Sequence, residues 1–339
     1  MTTLRMELAD KSYDISIGHG LLKHAGEYLN LSRRVLIVTD SGVPKEYAEA
    51  LLACCKQGRI FTVKEGEGSK SMETLGKVLT EMTDFGLVRR DCAVAVGGGV
   101  VGDLVGFASS IYMRGIDFYN VPTTLLSEVD SSIGGKTAVN YLGIKNIIGS
   151  FFQPKAVLID TDVLKTLPKR QIASGLAEAV KMAITLDAEL FSEIEKMSYS
   201  EIMENIDEII IRSLKIKKHV VERDERESSL RKVLNFGHTL GHGIEAITEM
   251  KLLHGECVAL GMIPMCSDKV RERLIPVLEK LSLPCSFGGD LDGALEFISH
   301  DKKCVGGKVT VIRCDEVGSF IMSDMELSDF CDTVKHRSL

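Results

Sequence analysis

Short apolar runs bounded by turn residues alternate with amphipathic stretches over the first half of the chain, and amphipathic stretches prevail over the second. Residues 3–8 and 12–17 alternate apolar with polar around Asp10-Lys11, the period-two signature of an N-terminal hairpin. A helix near 21–29 leads into Val35-Leu36-Ile37-Val38-Thr39-Asp40, a continuous apolar run ending in an acid, as in a strand buried within a parallel sheet. The pattern continues with a helix at 43–56, a strand at 59–63, a helix at 71–84, and strands at 92–96, 117–121 and 156–160. Such alternation predicts a doubly wound α/β sheet. From Pro168 onward helical periodicity takes over, at about 169–186, 187–198, 201–224, 237–249, 254–283 with a break near Pro264, and 291–299. The expected plan is an α/β domain over residues 1–167 followed by an all-α, or mostly helical, domain over 168–339.

Composition narrows the class of function. A chain of 339 residues with 45% hydrophobic content can bury a large core, and its net charge of −7 argues against a nucleic-acid-binding surface. The nine cysteines form no CxxC pair and read as reduced core residues of a cytoplasmic protein. No apolar run reaches the length that crosses a membrane.

Candidate chemistry begins where strand 92–96 runs into Gly97-Gly98-Gly99-Val100-Val101-Gly102-Asp103. This matches GxGxxG between a strand and a helix, a turn that lets backbone approach a pyrophosphate, although glycines that merely pack helix on strand would give the same string. Asp103, expected in the first helical turn, would repel a diphosphate, and Asp40 at the end of an earlier strand is the better partner for a ribose hydroxyl. Glu65-Gly66-Glu67-Gly68-Ser69-Lys70 is a polar turn with Ser69 or Ser71 as helix caps. Pro122-Thr123-Thr124 ends a strand with two hydroxyls, and Arg114 precedes that strand. Asp130-Ser131-Ser132-Ile133-Gly134-Gly135-Lys136-Thr137 has a composition suited to oxyanions without being a P-loop, and Lys145-Asn146 follows it.

In the second half, Asn235-Phe236-Gly237-His238-Thr239-Leu240-Gly241-His242 precedes His254-Gly255-Glu256. His238 and His242 share one helix face, and His254 can return from the next helix. A lone HxxxH is more often a pair of core histidines, but the third histidine and the adjoining glycines favour a divalent metal that takes its remaining ligand from a carboxylate elsewhere. Glu178 and Lys181, three apart in the apolar stretch Gly175-Leu176-Ala177-Glu178-Ala179-Val180-Lys181-Met182, offer that carboxylate. Lys217, Lys218 and His219 form a cationic patch, and Arg231 lies one turn before Asn235.

These motifs, with Thr123-Thr124-Leu125-Leu126 and Asp301-Lys302-Lys303, resemble the 3-dehydroquinate synthase family of sugar-phosphate cyclases in the same order over nearly the whole chain. The resemblance implies an NAD-dependent, zinc- or cobalt-dependent cyclase that turns 3-deoxy-D-arabino-heptulosonate 7-phosphate into 3-dehydroquinate and phosphate. It makes Glu178, His238 and His254 the metal ligands and gives His242 to substrate or proton movement. Asp130, Lys181 and Asn235 would face substrate hydroxyls, and Lys217 and Arg231 its carboxylate. Lys136, Asn146, Lys302 or Lys303, and Arg114 from the neighbouring subunit of a homodimer would face the phosphate. Around NAD it places Asp40, Glu67, Lys70, Gly99, Asp103, Thr123, Thr124, Lys136 and Lys145. Asn140-Tyr141-Leu142-Gly143-Ile144 departs from the family's His-Pro-Leu-Gly segment before Lys-Asn, which leaves the local loop conformation open. Two alternatives stand beside this reading: a cyclase for another sugar phosphate, and a metal-dependent alcohol dehydrogenase of the glycerol dehydrogenase kind. A nucleotide-binding scaffold would have no use for so full a constellation.

Overall fold

The computed structural model describes residues 1–9, 11–249, 251–299 and 307–337, and the chain divides into two compact units, Met1–Leu167 and Pro168–Leu339. Lys302 and Lys303 lie outside the described residues.

The first unit contains β1 (Thr2–Met6), β2 (Tyr13–Gly18), β3 (Arg34–Asp40), α1 (Lys45–Ala53), β4 (Gln57–Val63), α2 (Met72–Asp84), β5 (Cys92–Gly97), α3 (Gly99–Ile111), β6 (Asp117–Pro122), β7 (Lys136–Tyr141), β8 (Ile144–Phe151) and β9 (Ala156–Asp160). Seven strands form one sheet in the order β1-β2-β9-β6-β5-β3-β4. Only the β1–β2 hairpin within it is antiparallel.

The continuous apolar runs have the expected cause. Val35 and Ile37 of β3 point with Cys92, Val94 and Val96 of β5 into one core, covered by α1 and the short helical turn Leu21–Glu27. Leu36 and Val38 point with Ala93 and Ala95 into the opposite core, beneath α2 and α3. Each fully buried Val, Leu or Ile contributes about 1.5–3 kcal/mol, so a strand with both faces covered has no polar alternation to show.

The chain leaves β3 for β4 on one side and reaches β5 on the other, which makes the β3–β5 junction a point where strand order reverses. Open α/β sheets bind ligands at the carboxyl ends of strands flanking such a point. Here those ends are Asp40 and Gly97-Gly98-Gly99. A glycine-rich turn on a strand well inside the sequence thus stands at the point where the sheet order reverses.

The hairpin β7–β8 is an addition to the sequence-derived plan. Tyr141 pairs with Ile144, and the two-residue loop Leu142-Gly143 has φ of 50° and 77°. Positive φ at both central positions is the requirement of a type I′ turn, whose twist matches that of the strands it joins. The displaced glycine therefore serves a tight hairpin.

The second unit contains α4 (Lys169–Leu186), α5 (Ala188–Lys196), α6 (Tyr199–Glu204), α7 (Ile206–Arg223), α8 (His238–Ile247), α9 (His254–Met262), α10 (Asp268–Lys280), α11 (Leu291–Ser299), β10 (Lys308–Arg313), β11 (Ile321–Glu326) and α12 (Leu327–Arg337). Among its described residues it is helical, with one antiparallel hairpin, β10–β11, that the all-α expectation lacked. Lys308-Val309-Thr310-Val311-Ile312-Arg313 is rich in β-branched residues and buries Val309 and Val311 on one face, so the signal was present in the string. The stretch expected as one helix over 201–224 breaks at Asn205, where a capping box closed by Ser198 and Glu201 has already started α6. Helix α4 is buried along Ile172–Thr185 and packs against α5, α7 and α9.

Candidate active site

In the first unit a chain of polar contacts joins residues that the sequence scatters. Lys70 Nζ donates to Asp103 Oδ2 and to Asn146 Oδ1. Asn140 Nδ2 donates to Glu67 Oε1 at 2.7 Å, and Asn146 N donates to Asn140 Oδ1 at 2.9 Å. The unexpected hairpin supplies Asn140 and Asn146, with Asn146 held at φ 53°. Asp103 falls beyond the first turn of α3 and is neutralised by Lys70, which removes the repulsion expected of it.

Thr123 is buried and its N–H donates to Gly97 O at 3.0 Å, tying β6 to the glycine turn. Thr124 Oγ1 accepts from Ser127 N at 3.2 Å and so heads the wide helical turn Ser127–Ser131 that carries Asp130. Asp40 Oδ1 accepts from Gly42 N at 2.8 Å, while burial pushes its carboxyl above the usual aspartate value. Lys136, Lys145 and Arg114 are exposed, and Arg114 stands at φ 66° after Met113 at φ 50°.

The second unit holds the histidines. Helix α4 presents Glu178 and Lys181, both buried, with Lys181 Nζ in direct contact with Glu178 Oε2. The other oxygen, Oε1, faces His238 Nε2 at 3.7 Å and His254 Nε2 at 3.6 Å. These separations exceed a hydrogen bond. Donor atoms bound about 2.1 Å from one ion at tetrahedral angles stand about 3.4 Å apart, so the set has the spacing and the mixed N/O character of a zinc or cobalt cradle. Burial alone would raise the Glu178 carboxyl, but the Lys181 charge and His254 outweigh it and hold it at about 2. Burial likewise opposes the charge on His254, yet Glu178 and Glu245 bring that imidazole up to about 9. The carboxylate is thus ionised at neutral pH, as it would have to be to bind an ion, and His254 would have to give up a proton to do so.

Local sequence explains the assembly. Gly237 starts α8 at φ 77°, where a Cβ would stand 2.8 Å from Val258 O, so only glycine turns the chain here. His238 Nδ1 lies 3.1 Å from Phe236 O, which aims Nε2 at Glu178. In His254-Gly255-Glu256 each residue has its own task. A Cβ on Gly255 would meet Ser174 O at 2.0 Å, so glycine lets α9 lie directly on α4. Glu256 accepts from Arg170 Nε and Nη2, both at 2.7 Å, and from Leu253 N at 2.7 Å, fixing the first turn of α9 and with it His254.

His242 falls outside the close group of Glu178, His238 and His254. Its ring lies 5.3 Å from that of His238 and 5.9 Å from that of His254, and it belongs to a second close group, His242, Glu245 and His254. Lys217 and Arg231 are both buried, at 5% and 2% exposure, which excludes surface cations. Asn235 Nδ2 donates to Glu227 Oε1. Glu227, Glu245 and the Arg170–Glu256 pair escaped the sequence reading, although Glu245, three residues after His242 and seven after His238, carried a helical-spacing signal.

Family models of the N-terminal and C-terminal parts of 3-dehydroquinate synthase match residues 60–174 and 175–304. The chain belongs to the 3-dehydroquinate synthase family. The 3-dehydroquinate synthase of Streptococcus sanguinis is 40% identical, over 98% of this chain and 99% of the relative. Among solved structures, a 2-deoxy-scyllo-inosose synthase complexed with carbaglucose-6-phosphate, NAD+ and Co2+ superposes with a TM-score of 0.91 at 25% identity, covering 99% of this chain and 100% of that one. The 2-epi-5-epi-valiolone synthase of Streptomyces hygroscopicus subsp. jinggangensis, with NAD+ and Zn2+ bound, gives 0.87 at 28% identity, covering 97% and 98%. Membership of the 3-dehydroquinate synthase family separates this chain from the alcohol dehydrogenases weighed above.

Proposed function

We propose that this chain is a carbon–oxygen lyase that converts 3-deoxy-D-arabino-heptulosonate 7-phosphate to 3-dehydroquinate and phosphate, with NAD and one divalent ion as bound cofactors. The observation that carries the reading is the cradle of buried Glu178 and His238 and half-buried His254, with Lys181 against its carboxylate. When bound, NAD would take up and return a hydride at one carbinol, and zinc or cobalt in the cradle would polarise the oxygen on that carbon.

The chain's own residues do the positioning. Lys217 and Arg231 are assigned to the substrate carboxylate; both are buried, and a charge-assisted pair in a buried site is strong. Asp130, Lys181 and Asn235 are assigned to the ring hydroxyls, and His242 to a proton. Lys136, Asn146 and Arg114 are assigned to the phosphate, whose departing charge they stabilise. Asp40, Glu67, Lys70, Gly99, Asp103, Thr123, Thr124, Lys136 and Lys145 are assigned to NAD; Asp40 and Gly99 stand at the strand ends where the sheet order reverses. Arg114 acting from a partner copy in a homodimer, and a cytoplasmic place of work, belong to the same proposal and rest on the family resemblance. Among the described residues no helix is long and apolar enough to cross a membrane.

The test is phosphate release from the heptulosonate phosphate by metal-stripped, NAD-stripped protein, with NAD and zinc or cobalt added singly and together. Release is expected only with both. Equal release without either, or none with both, overturns the assignment.

A further inference from the structure

We propose that Glu245, outside the ligand set, fixes the ring of His254 from its far side and so sets how tightly the cradle holds its ion. The proposal rests on the metal reading of Glu178, His238 and His254.

An imidazole that gives one nitrogen to a metal carries its proton on the other, and the group accepting that proton fixes both tautomer and ring orientation. On each ligand histidine an acceptor faces Nδ1, the nitrogen that would carry the proton. His238 turns Nε2 toward Glu178 and has Nδ1 3.1 Å from the Phe236 carbonyl. His254 turns Nε2 toward Glu178 and has Nδ1 3.5 Å from Glu245 Oε2. The two outer partners differ in kind. A backbone carbonyl is neutral and fixed by the chain, whereas Glu245 brings a full negative charge on a side chain only 13% exposed, where water screens it little. A negative acceptor on Nδ1 makes Nε2 the better donor.

The division of labour fits the helices. The Arg170–Glu256 pair and Gly255 set the backbone of α9, but neither touches the rotation of the His254 ring about its own side-chain bonds. Glu245 supplies that constraint from α8, the helix that also carries His238 and His242. His242, Glu245 and His254 also stand close enough together to form a second cradle sharing His254. That would require the His254 imidazole to lose both its protons, a much larger demand than orientation, which is why the positioning role is preferred.

The test uses the full chain, stripped with chelator and titrated with Co2+, in the parent and in H254A, E245A and E245Q. One Co2+ per chain in the parent and its loss in H254A establish the cradle. A parent that binds no Co2+ overturns the cradle reading itself, independently of Glu245. With the cradle present, E245A should bind one Co2+ about 10–100-fold more weakly with altered visible absorption bands, and E245Q, whose amide oxygen still accepts the N–H, should fall between. The melting temperature of metal-free E245A should match that of the metal-free parent, because the effect lies in ligand orientation and not in packing. Affinity in E245A within about twofold of the parent, a second Co2+ in the parent that E245A loses, or a metal-free E245A melting well below the metal-free parent would each overturn the proposal.

Discussion

A carboxylate as buried as Glu178 stays ionised only where positive charge meets it, and Lys181 meets one oxygen while His238 and His254 face the other. On the proposed reading, this geometry gives the three histidines different roles. Replacing His254 by Ala should remove stoichiometric metal and activity together, whereas H242A should keep most of its metal. Elemental analysis that finds full metal in H254A, or none in H242A, would reverse the ligand assignment. The spacing of His238 and His242 in the sequence pointed to a shared ligand face, and spacing alone could not separate the two roles. His254 arrives on a different helix and Glu178 on a third, so the grouping seen in the structure is a property of helix packing. Arg231 offers a second check at this scale. Removing one partner of a buried charge pair costs about 2–5 kcal/mol. R231A should therefore lower kcat/KM by roughly 30-fold to several-thousand-fold, at about 1.4 kcal/mol per decade. Activity close to that of the parent would remove Arg231 from the substrate's carboxylate.

Single elements were legible where their periodicity was undivided. Strand β3, apolar on both faces, and helix α8, with glycine at its start, could be read directly from the string. Hairpin β7–β8 could not, because β8 is largely exposed and its Lys145-Asn146 reads as a polar loop. Its value is seen only in space, where Asn140 and Asn146 link Glu67 to Lys70. The segment after α7 shows the same dependence on contacts. Asp224 is buried there and accepts from Ser228 N at 2.9 Å, Ser229 N at 2.7 Å and Arg231 N at 3.0 Å. Burial pushes its carboxyl up, but these donors overcome burial and hold it well below the ordinary range. A folded-state value lower than the unfolded one near 3.9 contributes stability that is full above that pH and is lost as pH falls through it toward the folded value. Because an amide offers one acceptor oxygen in place of two charged ones, D224N should lose about 1–3 kcal/mol at neutral pH. Urea unfolding of parent and variant should show that gap narrowing below about pH 4. A gap that is constant with pH would mean the carboxylate does not cap this segment.

On the scale of the whole molecule, the first unit carries the residues assigned to NAD and the second those assigned to the metal. The alternation of strands and helices, and its end near Pro168, made the two-part plan readable. The sheet order was not readable, since nothing in the string says that β5 lies beside β3 or that the glycine turn and Asp40 flank one junction. That junction suits a dinucleotide, as proposed, but does not by itself decide its use, because a dehydrogenase and a cyclase bind NAD alike. The two differ in stoichiometry. If a hydride leaves the substrate and later returns to the same carbon, NAD is regenerated in every cycle and acts as a bound catalyst. Protein stripped of NAD should then regain full activity with NAD equal to its active sites. Phosphate should accumulate over many turnovers with no growing NADH absorbance, and deuterium placed on the oxidised carbon should remain there in the product. NADH formed in step with substrate loss would mean net oxidation, and the carboxylate and phosphate contacts assigned here would then serve a dehydrogenase.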